Sequence, residues 1–168
     1  MADENNATVA GNEDTQKDKY LTFHLAGEDY GIEICHVIEI IGIQAITEVP
    51  DMPAFIRGVI NLRGKVIPVM DVRARFGLPA RDYDERTCII VINVDSTEVG
   101  LVVDEVSEVA DIPESQVEPA PRTSKNTEGS FIQGMGKMNN KVKILLDAHK
   151  LLFSGEMQRV LQSDSEEN

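Results

Sequence analysis

An all-β chain assembled from two similar small units is what the sequence predicts, and three observations carry that expectation. Between its polar ends, apolar residues mostly alternate with polar ones at period two, the signature of half-buried strands. The sequence also repeats itself: "FIRGVINLRGKVIPVMD" from Phe55 aligns without gaps on "FIQGMGKMNNKVKILLD" from Phe131, an offset of 131 − 55 = 76. Upstream, "YGIEICHV" from Tyr30 falls on "VGLVVDEV" from Val99 at 99 − 30 = 69, where Leu21, Phe23 and Leu25 meet Ile90, Ile92 and Val94. Two matches in order, reconciled by one insertion of 76 − 69 = 7 residues, indicate a duplication. With 168 residues and 42% hydrophobic composition, the chain can bury one sizeable core or two small ones. Each unit is therefore expected to lean on the other and to leave a groove at their junction.

Taken in order, residues 1–19 are rich in Asn, Asp, Glu, Thr and Lys without hydrophobic periodicity and predict a flexible acidic tail. "YLTFHLA" and Tyr30, Ile32 and Ile34 alternate on either side of "GED", which predicts a hairpin. Ile34, Val37, Ile38 and Ile41 then fall at i, i+3, i+4 and i+7, predicting a short helix that ends at Gly42 and displays His36 and Glu39. Val59 to Leu62 and Val66 to Met70 read as strands turned over by Arg63-Gly64, and Pro68 places its strand at an edge or beside a bulge. Asp71 and Asp147 stand where an N-cap would open the short helices "VRARFG" and "AHKLLF". The insertion falls between Val106 and Phe131, where "DIPESQVEPAPRTSKNTEGS" predicts a loop, and residues 156–168 read as the end of a C-terminal helix and a polar tail.

Composition narrows the function. The 16 basic and 29 acidic residues leave a net charge of −13, and no apolar run approaches the roughly 18–20 residues needed to cross a bilayer. Without an apolar leader the chain is expected in the cytosol, with no direct membrane insertion. An acidic chain with no Trp and 5% aromatic residues lacks the stacking platforms and basic grooves of nucleic-acid binders. His24, His36 and His149 are scattered without metal-ligand spacing, and HExxH, Walker and GxSxG motifs are absent. "GMGKMNNK" is a strand turn by its alignment with the first hairpin, not a phosphate loop. Cys35 and Cys88 sit in apolar segments and fit reduced, packed thiols better than a disulfide. No catalytic, metal or cofactor site is expected, which leaves an interaction module.

The stretches "FHLAGEDYGIEICHVIEI", "PAFIRGVINLRGKVIPVMDVRARFG", "VGLVVDEVSEV" and "EPAP" resemble CheW, the coupling-protein family of bacterial chemotaxis, over about residues 20 to 155. The resemblance implies two five-stranded SH3-like β-barrels, intertwined and packed together, with short helices and a C-terminal helix. It implies a non-enzymatic adaptor between the cytoplasmic tips of methyl-accepting chemoreceptors and the regulatory domain of a CheA-type histidine kinase, recruited to receptor arrays at the inner membrane. A CheW-like scaffold for another kinase pathway, such as twitching motility, is compatible with every motif. The matched contact positions are Val37, Glu39, Arg63 and Gly64 in the first barrel, and Thr87, Cys88, Gly100, Val106 and Val109 in the second. Two departures stand out: the chain continues "RTS", with Arg122 and Thr123, where many relatives place an aromatic, and Cys88 replaces the usual aliphatic.

Arg63 leaves a hairpin turn and Glu39 leaves the helix expected after the first hairpin, so both are expected on one rim, beside exposed Val37 and Ile40. Arginine suits such a place because its planar fork holds a carboxylate while its face covers apolar surface. Two readings follow: a pair that orients a docking face, or a pair that only staples the expected helix to the hairpin.

Overall fold

The computed structural model describes residues 16–120 and 131–155 together with 157, 160 and 161. Four two-residue hairpins organise it. Their turns are Ala26-Gly27, Arg63-Gly64, Asp95-Ser96 and Asn139-Asn140, with φ of 51/81°, 53/83°, 50/66° and 51/62°. Paired positive φ values define the turn whose twist matches that of the flanking strands. The first turn is Ala26-Gly27 and not "GED", so Glu28 and Asp29 already belong to a strand.

The strands are β1 (Lys19–Leu25), β2 (Glu28–Glu33), β3 (Val37–Gly42), β4 (Ile56–Leu62), β5 (Lys65–Asp71), β6 (Cys88–Val94), β7 (Thr97–Val103), β8 (Glu105–Asp111), β9 (Val117–Glu118), β10 (Ile132–Met138) and β11 (Lys141–Leu146). Helices α1 (Val72–Arg75) and α2 (Ala148–Phe153) follow β5 and β11. Asp71 and Asp147 cap them, accepting from Ala74 N at 3.2 Å and Lys150 N at 3.0 Å. Strands recur at the two offsets found in the sequence, β1–β3 with β6–β8 and β4–β5 with β10–β11.

A second expectation fails at the segment that follows. Residues 34–41 do not form a helix: only Ile34–His36 make a 3-10 turn, and Val37–Gly42 run as β3. In a run where nearly every residue is apolar, helical and period-two spacing cannot be separated. β-branched side chains and the free edge of β6, which pairs Glu39 with Val91 and Ile40 with Ile90, decide for the strand.

The sheets are ordered β8-β1-β2-β11-β10-β9 and β3-β6-β7-β5-β4. Each repeat lends its first hairpin to the other's barrel: β1 and β2 join β8, β10 and β11, while β6 and β7 join β3, β4 and β5. The six-stranded sheet owes its extra member to the two-residue β9. β5 lies between β4 and β7, so Pro68 is not at an edge. It sits next to a register shift in β4 and one residue before β7 pairing begins at Val69, where its missing N–H costs no ladder bond.

Thr47 closes the barrel of β3–β7 by exchanging backbone hydrogen bonds with Val59, both at 2.9 Å. Glu118 opposite Met135 is the counterpart in the other barrel. These closing residues differ by 118 − 47 = 71. Two of the seven inserted residues therefore precede β9 and five follow it. The closing segment demands glycine at position 58, where a Cβ would stand 2.0 Å from the Thr47 carbonyl oxygen.

Three cores result. Ile60, Ile67, Val69, Ile89, Val91 and Val102 fill one barrel, and Tyr20, Ala110, Ile112 and Leu145 fill the other. The largest lies between them, where Phe23, Leu25 and Ile32 meet Ile90, Ile92, Leu101 and Val103, with Met157 and Val160 packed on the same cluster. Arg75 of α1 stacks between Phe55 and Phe131, 4.5 and 4.4 Å from the ring centres, joining the repeat-related aromatics of the two units.

Candidate docking site

Glu39 stands on β3 opposite Val91, and the Arg63-Gly64 turn of the β4–β5 hairpin brings the guanidinium over it. Arg63 Nη1 donates to Glu39 Oε2 at 3.3 Å and Nη2 donates to Oε1, a two-pronged pair in which the arginine side chain is 69% exposed and the glutamate 26%. The hydrogen bonds that Arg63 donates to Glu39, then the glutamate's charge, hold the Arg63 pKa above its ordinary value. Lys65 and Glu98 form a second ion pair nearby, and the Glu98 carboxylate also acts on Arg63. Fixed charge of both signs thus decorates one end of the barrel formed by β3–β7.

Around it lie aliphatic side chains that water still reaches. Ile38, Ile40 and Val66 are exposed on this barrel, and Val109 and Val142 on the other. Ile40 and Val109 are repeat-related at 109 − 40 = 69, as are Val66 and Val142 at 142 − 66 = 76. The duplication has therefore preserved exposure as well as burial, and each barrel offers an equivalent apolar edge.

The residues expected to act together do so unevenly. Glu39, Ile40, Arg63 and Gly64 share the rim. Val37 is half-buried against the central core, as is its repeat partner Val106, while Val109 is exposed on β8. Thr87, Cys88 and Gly100 were expected in the second barrel with Val106 and Val109, but the exchange of hairpins puts them in the same barrel as Glu39 and Arg63: Cys88 pairs with Gly42, and Gly100 with Val69 and Val91. Thr87 and Gly100 are also buried, so neither presents a surface to a partner. Thr87 Oγ1 accepts from Asp84 N at 2.9 Å, and a Cβ on Gly100 would lie 2.7 Å from the Ile89 side chain. Cys88 is half-buried and directs its thiol at the Arg86 carbonyl, 3.2 Å away. Cys35 is exposed and not the packed thiol expected; partial desolvation, then the neighbouring Glu33 carboxylate, push its thiol up, which disfavours the reactive thiolate. Arg122, Thr123 and most of both polar ends, residues 1–15 and 162–168, lie outside the described residues, whereas Lys19 already belongs to β1.

Sequence reasoning missed Ile38, Val66, Val142 and the Lys65–Glu98 pair. Val66 and Val142 each follow an exposed lysine at the start of a strand, a break in alternation that signals an apolar residue with nowhere inward to go.

Two interlocked small barrels carrying exposed apolar edges and paired charges define a protein-docking domain of scaffold type. The family model for the CheW-like domain matches residues 19–156. Chemotaxis protein CheW of Klebsiella aerogenes is 40% identical over 147 residues, spanning 88% of this chain and 89% of that one. CheW of Bacillus subtilis is 38% identical, over 80% and 86%. The crystal structure of the scaffolding protein TtCheW from Thermoanaerobacter tengcongensis superposes with a TM-score of 0.76 at 38% identity, covering 83% of this chain and 97% of that one. The chain belongs to the CheW-like family and is, on that footing, a chemotaxis scaffold of the CheW type. Among the described residues no helix is long and apolar enough to cross a membrane.

Proposed function

We propose that the protein couples chemoreceptors to a CheA-type histidine kinase, without enzymatic activity of its own, in receptor arrays on the cytoplasmic side of the inner membrane. The observation that carries this reading is the rim itself, where Arg63 and Glu39 form a two-pronged pair on a barrel that also exposes Ile38, Ile40 and Val66. Aliphatic contacts supply affinity once water is excluded, and the charged pair fixes orientation and disfavours wrong partners. Val109 and Val142 on the opposite barrel supply the second edge that a coupler needs to hold two partners at once.

Signal passes by linkage: where receptor and kinase each favour one arrangement of rim and groove, binding of one alters the other by a coupling free energy of about 1–3 kcal/mol. Clustering adds avidity, so each face can be weak by itself. Titrating the kinase regulatory domain and a receptor-tip fragment against Arg63→Ala and Glu39→Ala tests the rim. Weakened binding with an unchanged thermal midpoint supports a docking role, and parallel loss of binding and fold reduces the pair to an internal staple. Capture of the native chain from its own cytosol should recover chemoreceptors together with a CheA-type kinase. Recovery of a different kinase without chemoreceptors would reassign the pathway.

A further inference from the structure

Just before β3, one group of side chains carries chemistry that neither the fold nor the docking reading uses. The sequence scatters its histidines, but the 3-10 turn Ile34–His36 folds the link between β2 and β3 tightly enough to gather three donors of different kinds. A carboxylate oxygen of Glu33, the sulfur of Cys35 and an imidazole nitrogen of His36 all lie within 4.8 Å of one another. Cys35 Sγ points its proton at Glu33 Oε2, 3.9 Å away, so thiol and carboxylate already face the same space.

We propose that Glu33, Cys35 and His36 form a binding site for a borderline-soft divalent transition metal, with Zn2+ the ion best suited to the donors. Thiolate, imidazole and carboxylate are the three side-chain types that zinc accepts, whereas Mg2+ and Ca2+ favour all-oxygen sets and gain nothing from sulfur. Bond lengths of about 2.0–2.3 Å place tetrahedral donors roughly 3.3–3.8 Å apart, so closing the present cluster asks for side-chain rotations of about 1 Å. Such rotations are open to these residues, because Cys35 is exposed and Glu33 and His36 are only half-buried. Three protein ligands leave the fourth position to water. On binding, the Cys35 S–H bond is replaced by an S–Zn bond and the proton leaves to solvent, with no change of oxidation state. The ion would clamp the turn from which β3 departs, and the inference stands independently of the docking reading.

Co2+ serves as the spectroscopic probe, titrated into the reduced full-length chain. A thiolate-to-cobalt charge-transfer band should appear, saturate at one ion per chain and vanish when Zn2+ is added. Cys35→Ser should lose the band while keeping the β-type circular dichroism of the parent. His36→Ala should require more cobalt to saturate, and Cys88→Ser should behave as the parent. The site is overturned if stoichiometric cobalt gives no band, if the band survives Cys35→Ser, or if Cys88→Ser removes it. A His36→Ala titration that superimposes on the parent's would overturn the three-ligand assignment.

Discussion

Arg63 occupies a backbone position that arginine does not favour. Its φ of 53° lies in the left-handed region, where Asn and Gly are the residues of choice, and the repeat-related turn uses Asn139-Asn140. Selection for the turn alone would have placed Asn at 63. Replacing Arg63 with Asn removes the pair with Glu39 yet relaxes the backbone, so a calorimetric scan of Arg63→Asn should show a midpoint unchanged or slightly raised. Kinase or receptor binding should weaken in the same variant, and a lowered midpoint would mean that the pair serves the fold. Asp71 is the opposite case, a buried charge with purely structural duties. It caps α1 and accepts from the Tyr83 hydroxyl at 2.8 Å and Arg57 Nε at 3.2 Å. Burial, then the Asp71 carboxylate, push the Tyr83 hydroxyl up to about 12, keeping it a donor at any physiological pH. Asp71→Ala deletes a cap and leaves two donors facing empty space, and urea unfolding should report a loss of about 2–4 kcal/mol.

At the scale of elements, the repeat makes an internal control available. Asp147 caps α2 through Lys150 N and is less buried than Asp71, so Asp147→Ala should cost about 1 kcal/mol, well below its counterpart. Barrel closure is steeper still. Gly58→Ala drives a methyl group into the Thr47 carbonyl, and urea unfolding should show a loss of about 3–5 kcal/mol unless the closing segment detaches. The same substitution at Gly64, whose Cβ would meet open space, strains only a turn and should cost less.

Across the whole molecule, charge and topology govern stability together. Asp104 ties distant segments, taking both prongs of Arg73 at 2.7 Å, Arg81 at 3.3 Å and the Ala26 amide at 3.0 Å. Burial works against its charged form, but the Arg73 hydrogen bonds, the Ala26 amide and the arginine charges prevail and hold its pKa below the usual carboxylate range. Asp29 is lowered likewise: burial opposes, and Lys143 and His24 outweigh it. A folded-state pKa below the unfolded value means stabilisation that is complete above about pH 4 and disappears as pH falls through the lower, folded value. Urea midpoints should therefore fall steeply below about pH 4. Asp104→Asn should be less stable at pH 7 yet lose less between pH 5 and pH 3. Because each barrel contains a hairpin from the other repeat, neither half of the chain carries a complete barrel. Circular dichroism and tyrosine fluorescence should follow one coincident unfolding transition.

The sequence by itself determined the strand class, both offsets of the duplication and the capping aspartates. Each is written in local periodicity, in turn chemistry or in self-similarity. Only the tertiary structure decided that residues 37–42 are a strand, because the open edge of β6 overrides an ambiguous local pattern. It alone decided that the repeats exchange hairpins, and hence that Cys88 and Gly100 lie in the same barrel as Glu39 while Thr87 and Gly100 are hidden. Strand partners far apart in the chain are chosen by which faces can be buried together, and the largest core here forms between the barrels, where no local pattern reaches. The gathering of Glu33, Cys35 and His36 is local by contrast, made by a tight 3-10 turn that spacing along the chain did not announce.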